Sequence, residues 1–219
     1  MSGAFLIAVD GPAASGKGTI ADGLARLYGY PHLDSGLLYR AVAAAVLAAG
    51  SDLDDAEASA AAARALDAGR LGDPALRTRE AGEAASRVAV HAQVRAALLD
   101  FQRTFAAQTP GAVIDGRDIG WVIAPWAPAK LFVTATPEVR AHRRWRQLQG
   151  QGERVSYDDI LADIRKRDER DSARAASPLV MAPDAVLLDT TEMTIDQAAD
   201  AARRIVEAAR ARWEQSQRA

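Results

Sequence analysis

Gly11, Gly16 and Lys17, within Asp10-Gly-Pro-Ala-Ala-Ser-Gly-Lys-Gly-Thr19, are the residues whose types and spacing point most directly to chemistry. They fit G-x-x-x-x-G-K, the pattern of a phosphate-binding P-loop. Glycines let the backbone turn tightly, so that successive N–H groups and the positive end of the following helix can hold an anion. Lys17 then reaches the outer phosphates. Only Lys17, Lys130 and Lys166 are lysines among 27 basic residues, so a lysine at this position stands out in a chain that otherwise uses arginine. One feature departs from the usual pattern: Gly18 stands between Lys17 and Thr19, where a hydroxyl residue normally follows the lysine.

Further groups share this chemistry. In Asp34-Ser-Gly-Leu-Leu-Tyr-Arg40, Gly36 and Arg40 share a helical face, and Arg40 offers a bidentate fork to an anionic substrate. Asp115-Gly-Arg-Asp118 follows an apolar run, and Asp115 stands where P-loop enzymes place an acid toward a metal. Arg167, Asp171 and Arg174 lie at i, i+4 and i+7, two guanidinium groups flanking an acid. Such cations can neutralise the charge of a phosphoryl transfer. Arg140, Arg143, Arg144 and Arg146 form another basic run; Arg140 and Arg144 share a face that could join the same cations, while Arg146 is expected in water. Arg77, Thr78, Ser86 and Arg95 are scattered. His32, His91 and His142 show no spacing that suggests a metal or a triad, and Trp121, Trp126, Trp145 and Trp213 read as packing residues.

The elements that must position these groups follow from apolar patterning. Phe5–Val9, His32–Asp34, Ala112–Asp115, Lys130–Ala135 and Ala185–Asp189 read as short buried strands. Helices are expected over Gly18–Tyr28, Leu37–Ala49, Arg79–Gln108, Pro137–Gln149, Tyr157–Arg174 and Thr194–Trp213. The last carries Ile195, Ala198, Ala202, Ile205, Val206 and Ala209 on one stripe. Ser51–Leu71, rich in alanine and charge, reads as a solvated helix, and Gly150-Gln-Gly152 reads as a lid hinge. This alternation predicts an α/β fold, a five-stranded parallel sheet flanked by helices.

At 219 residues the chain suits one such domain with insertions. A net charge of -2 gives no basic field to draw nucleic acid, so small partners are expected. The absence of cysteine excludes disulfides, thiolate metal sites and cysteine nucleophiles. With neither a signal-like segment nor a long apolar run, the expectation is a cytoplasmic enzyme without membrane contact.

Across nearly its whole length the chain resembles the bacterial cytidylate kinases of the nucleoside monophosphate kinase superfamily. The resemblance rests on Asp10–Thr19, Leu33–Arg40, Asp115–Asp118, Arg167–Asp171 through Arg174, and Leu188-Asp189. It implies a single P-loop domain, 1–219, with an NMP-binding insertion about 36–110 and a lid about 143–175, acting as a monomer. It further implies transfer of the ATP γ-phosphoryl group to CMP or dCMP with Mg²⁺. Gly11, Pro12, Ala13, Ala14, Ser15, Gly16, Lys17, Gly18 and Thr19 match the ATP loop. Ser35, Ser86, Arg95, Arg117 and Asp118 match acceptor-holding positions together with Arg40, and Asp171 matches an acid on the ribose. Lys17, Arg167 and Arg174 match groups that engage the transferred phosphoryl. Asp34 and Asp115 become candidates to hold Mg²⁺ indirectly, through water. The family usually carries a small antiparallel sheet in the insertion, whereas Asp52–Leu76 reads as shortened and helical. Two other readings stay open: a kinase for another nucleoside monophosphate or small acceptor, and a non-catalytic nucleotide-binding switch.

Overall fold

Short runs of three to six mostly apolar residues assemble side by side. The computed structural model describes residues 4–218. Its strands are β1 (Phe5–Asp10), β2 (His32–Asp34), β3 (Gly111–Gly116), β4 (Ala129–Thr134) and β5 (Val186–Asp189). They form one sheet in the order β2-β3-β1-β4-β5, and each neighbouring pair is parallel. All residues of β1 and β3 are buried, as strands covered on both faces require. Because β1 lies between β3 and β4, the chain leaves it toward opposite sides, which opens a crevice at the carboxyl ends of the central strands.

One face of the sheet carries Ile7, Val9 and Leu131, packed under α1 (Lys17–Tyr28) and α8 (Ile195–Ser216) through Ile20, Leu24, Ala202 and Val206. The other carries Leu6, Ala8 and Ile114 beneath Leu38, Val42 and Val46 of α2 (Ser35–Ala48). Alanine dominates both interfaces, so the helices approach closely. The remaining helices are α3 (Ala56–Arg64), α4 (Arg79–Val88), α5 (Ala92–Ala106), α6 (Pro137–Gly150) and α7 (Tyr157–Ser172). Hydroxyl caps start several of them: Thr136 accepts from Val139, Ser156 from Asp159, and Thr194 forms a capping box with Gln197. Gly152, at φ 82°, turns the chain between α6 and α7, the two arms of the expected lid.

Four expectations are corrected. Arg79–Gln108 is two helices, because the chain turns at Ala89–Val90 and His91 becomes extended, its ring bonded to the Leu53 carbonyl at 2.9 Å. This turn lets α5 pack on α3. Ser51–Leu71 is not a solvated helix: α3 buries Ser59, Ala60 and Ala63, and two 3-10 turns, Ala68–Gly72 and Pro74–Arg77, follow it. The small alanine side chains that dilute the apolar pattern are what allow this close packing. Ile195 leaves the α8 stripe: 74 % exposed at the first turn, it lines the cleft instead. Trp126 is 58 % exposed, with the Arg103 guanidinium 5.7 Å from its ring, whereas Trp213 packs edge-on against Phe5 as expected.

Candidate active site

The loop after β1 turns where sterics demand glycine. Gly11 has φ 153°, and a side chain there would collide with the Val133 carbonyl; Gly16, at φ 91°, is the N-cap of α1. No side chain caps α1, so its first-turn N–H groups face the crevice without a side-chain acceptor. Lys17 Nζ donates to the Pro12 carbonyl at 3.2 Å, which folds the ammonium back over the loop. Burial lowers Lys17 to about 7, and Arg117 adds to the fall while Asp115 and Asp34 oppose it. A bound polyphosphate reverses that loss. Gly18 stands beside the acid: a methyl there would lie in ordinary contact, 3.9 Å, with Asp115 Oδ2. Thr19 is exposed.

Asp34 and Asp115 pair in register at the ends of β2 and β3. Burial and the neighbouring Asp115 carboxylate raise Asp34. His32 Nε2 lies 2.9 Å from Asp115 Oδ1; its own burial opposes protonation, but Asp115 outweighs this and raises it. The histidine spacing gave no sign of this contact, since only strand register creates it.

A cleft of about 1350 Å³ runs from the loop to the insertion and is lined by Lys17, Asp34, Arg40, Asp115, Arg117 and Arg167 among others. Arg40 donates to the carbonyls of Leu76 and Thr78 at 2.7 and 2.9 Å, which extends its fork along the cleft. Gly82 on α4 makes room for it: a methyl there would meet Arg40 Nη2 at 2.9 Å and Arg167 Nη1 at 3.4 Å. Nothing in the sequence signalled that role for Gly82. Arg167 has no carboxylate partner among the described residues, and burial, with Arg117 beside it, lowers it to about 10.

Behind this rim lie the other expected residues. Asp171, fully buried, accepts from Arg117 Nε at 2.9 Å and from Arg174, and although burial opposes its ionisation, Arg117 and Arg174 hold its carboxyl below the usual range. Arg95 pairs with Asp118, both buried, and its guanidinium lies 5.5 Å from the Tyr39 ring. Ser35 and Ser86 are buried, and the Ser86 hydroxyl has no partner. Thus the sequence motifs converge, but Ser35, Ser86, Arg95, Asp118, Asp171 and Arg174 form the cleft's supporting floor rather than its open wall.

Two of the basic residues before the hinge act differently from expectation. Arg140 does not join the lid cations: 3 % exposed, it donates to Asp168, to the Ala135 carbonyl and to Ala13 of the loop. These bonds make it a strut between α7 and the loop. Arg143, to which sequence spacing gave no role, bonds the carbonyls of Ser15 and Thr190, beneath the loop. Arg144 lines the cleft and Arg146 is exposed, as expected. Across the cleft mouth, Arg79 and Glu83 of α4 pair with Asp163 and Arg170 of α7, two ion pairs of opposite polarity that join the two helices.

A parallel sheet with an uncapped glycine loop at its switch point, facing arginines on the helix pair α6–α7, defines a P-loop kinase. Among solved structures, a gluconokinase from Sinorhizobium meliloti 1021 superposes with TM-score 0.51 over 98 % of both chains at 15 % identity. An uncharacterized protein from Eubacterium ventriosum ATCC 27560 does so with TM-score 0.55 over 93 % of this chain and 98 % of that one, at 16 % identity. Both share the fold. The chain belongs to the cytidylate kinase family, whose profile matches residues 7–208. A cytidylate kinase of Caulobacter sp. (strain K31) is 70 % identical over 96 % of this chain and 97 % of that protein. Another, from Xanthobacter autotrophicus (strain ATCC BAA-1158 / Py2), is 68 % identical over 94 % and 99 %.

Proposed function

We propose that the chain transfers the γ-phosphoryl group of ATP to CMP or dCMP, giving ADP and CDP or dCDP. The observation that carries this reading is the convergence of Arg40 and Arg167, neither with a carboxylate partner among the described residues, on the cleft opposite Lys17. Two guanidinium groups held together in this way repel each other until an anion lies between them. The family assignment supplies the cytosine base. Gly11, Pro12, Ala13, Ala14, Ser15, Gly16, Lys17, Gly18 and Thr19 hold the donor phosphates, while Ser35, Arg40, Ser86, Arg95, Arg117, Asp118 and Asp171 hold or support the acceptor.

The acceptor oxygen is already an anionic phosphate oxygen near neutral pH, so no general base is required. What the protein must supply is alignment and relief of repulsion between two anions. Lys17 neutralises the donor's outer oxygens and Arg167 stabilises the group in flight, while Arg174, bonded to Asp171 behind the cleft, adds its charge from there. Arg117, locked by Asp171, holds the acceptor still. Asp34 and Asp115 fit Mg²⁺ held through water: the half-buried Asp34 and buried Asp115 carboxylates repel each other at the cleft, yet no group of three potential ligand side chains is present among the described residues. When bound, the ion shields phosphate charge and fixes the donor's shape.

The whole chain is read as one P-loop domain, 1–219, of which residues 1–3 and 219 lie outside the described structure. The insertion at 36–110 and the lid at 143–175 close over the nucleotides and exclude water. We read the chain as a monomer acting in the cytoplasm: the donor loop and the acceptor arginines line one continuous cleft, and its substrates are nucleotides. Among the described residues no helix is long and apolar enough to cross a membrane.

A coupled ADP-release assay over CMP, dCMP, UMP, AMP and gluconate tests the reading; CMP and dCMP are expected to lead. Equal turnover with every acceptor would discard the base assignment, and nucleotide binding without acceptor-dependent ADP release would favour a switch. The Lys17 environment adds a pH signature. Its ammonium is the binding form, so kcat/KM for ATP is expected to decline as pH rises through about 7 in the free enzyme. Bound phosphates raise the group, so kcat holds level to higher pH. Parallel decline of the two profiles would refute this placement of Lys17.

A further inference from the structure

Asp10 ends β1 immediately before the donor loop, yet its side chain serves the opposite half of the site. It is 5 % exposed, and each carboxylate oxygen accepts one backbone N–H: Oδ1 from Ile119 at 2.8 Å, Oδ2 from Gly120 at 2.7 Å. These two amides open the single turn Ile119–Ile123 that directly follows Arg117 and Asp118. The far end of the same segment is held by Lys130, one of only three lysines and itself 7 % exposed. Its Nζ donates to the Pro125 carbonyl at 2.5 Å and to Asp184 at 2.7 Å. Asp10 and Lys130 belong to the central neighbouring strands β1 and β4, where Ala8 pairs with Lys130. The segment from Ile119 to Pro125 is therefore strung between a buried anion at its N–H end and a buried cation at its C=O end, both mounted on the sheet.

We propose that Asp10 is a positioning residue that sets Arg117 and Asp118 of the acceptor side in register with the donor loop. The inference rests on the reading of Arg117 and Asp118 as acceptor groups. Asp10 and Gly11 are adjacent, so any movement of the loop's first residue is carried by two hydrogen bonds to the turn, and from there to Asp118, two residues from Gly120. Gly120 is needed for the approach: a methyl there would stand 3.3 Å from both Asp10 Oδ2 and Lys130 Cδ. An aspartate fits this place because only a carboxylate presents two acceptors and no donor. Burial raises the Asp10 carboxyl to about 7, with Asp118 adding to the rise, while the two N–H groups and Lys17 oppose it. Neutralising the side chain therefore sacrifices little charge stabilisation, and the geometry of the hydrogen bonds becomes the measurable quantity.

Asp10→Asn keeps shape and one acceptor but turns an NH₂ toward the other amide. In the full chain, this variant is expected to raise KM for CMP about tenfold and to leave KM for ATP within twofold. Exchange of the Gly120 amide proton, followed by NMR, is expected to quicken at least tenfold. Gly120→Ala, which crowds the same contact while retaining Asp10, should move both readouts in the same direction and decides the matter if Asp10→Asn fails to fold. Unchanged KM for CMP in a folded variant, equal rises in both KM values, or unchanged Gly120 exchange would each overturn the proposal. If the unaltered protein uses a different nucleotide acceptor, the cytosine reading fails, and the same KM comparison is made with that acceptor. Amide exchange reads the clamp without any turnover.

Discussion

Lys17→Ala is expected to lower kcat by on the order of 10²-fold or more, since charge stabilisation of this kind acts chiefly on the transition state. Lys17 is the lone ammonium at the mouth of α1, and its contact with the Pro12 carbonyl holds it above the loop that it completes. A flexible point charge can follow an oxygen as charge shifts toward the leaving group, whereas Arg40 and Arg117 opposite are fixed by carbonyls and by Asp171. Arg167→Ala is expected to show a loss of the same order, because Arg167 is the buried guanidinium without a carboxylate partner among the described residues. Steady-state ADP release with saturating CMP and ATP measures both. Unchanged kcat in the two variants would remove Lys17 and Arg167 from the catalytic assignment.

The second large effect falls on stability. In Asp171→Ala the guanidinium groups of Arg117 and Arg174 lose the carboxylate that both share, with side-chain exposures of only 16 % and 5 %, and Arg167 adds to their repulsion. Breaking a buried pair in this way costs about 3–5 kcal/mol, because the remaining charges stay desolvated. For a chain of this size each kcal/mol moves Tm by roughly 2–4 °C, so a fall on the order of 10 °C is expected. The pH dependence has a definite sign. Asp171 is held below its ordinary value, so its contribution is present above the unfolded carboxylate pKa and is lost as pH falls through the folded one. The gap between variant and parent therefore narrows toward acid. Added CMP should restore part of the lost stability, since its phosphate replaces an anion among these arginines. A Tm within 2 °C of the parent at neutral pH would show that Asp171 is not the keystone of the cluster.

Legibility in the sequence followed the range of the physics. The central strands were readable because each is a short, mostly apolar run, and the loop because glycine, lysine and helix onset are contiguous; β5, expected to be buried, instead leaves Val186 and Leu187 41 % and 55 % exposed, because it is an edge strand. Arg167, Asp171 and Arg174 could be grouped from helical spacing alone, and Asp171 does hold Arg174 in the structure. Elsewhere the same reasoning had nothing to work with. The insertion's alanines carry little periodic signal, so a packed α3 read as a solvated one and the turn before His91 was invisible. Arg140 looked equivalent to Arg144 on one helix face; only the position of Asp168 on α7 and of Ala13 on the loop separates strut from cleft wall.

By itself, then, the sequence determined the parallel α/β architecture, the phosphate loop and the stock of cations, because these depend on interactions between residues close along the chain. Tertiary structure decided which of the cations remain available to a substrate. Arg40 and Arg167 meet over Gly82, Arg117 and Arg174 share Asp171, and Arg95 is taken by Asp118. It likewise placed His32 against Asp115 and Asp10 against the turn after Asp118, contacts spanning 83 and 109 residues of chain. A guanidinium's role depends on whether its neighbours neutralise it, and those neighbours arrive from distant segments only when the sheet and lid are assembled.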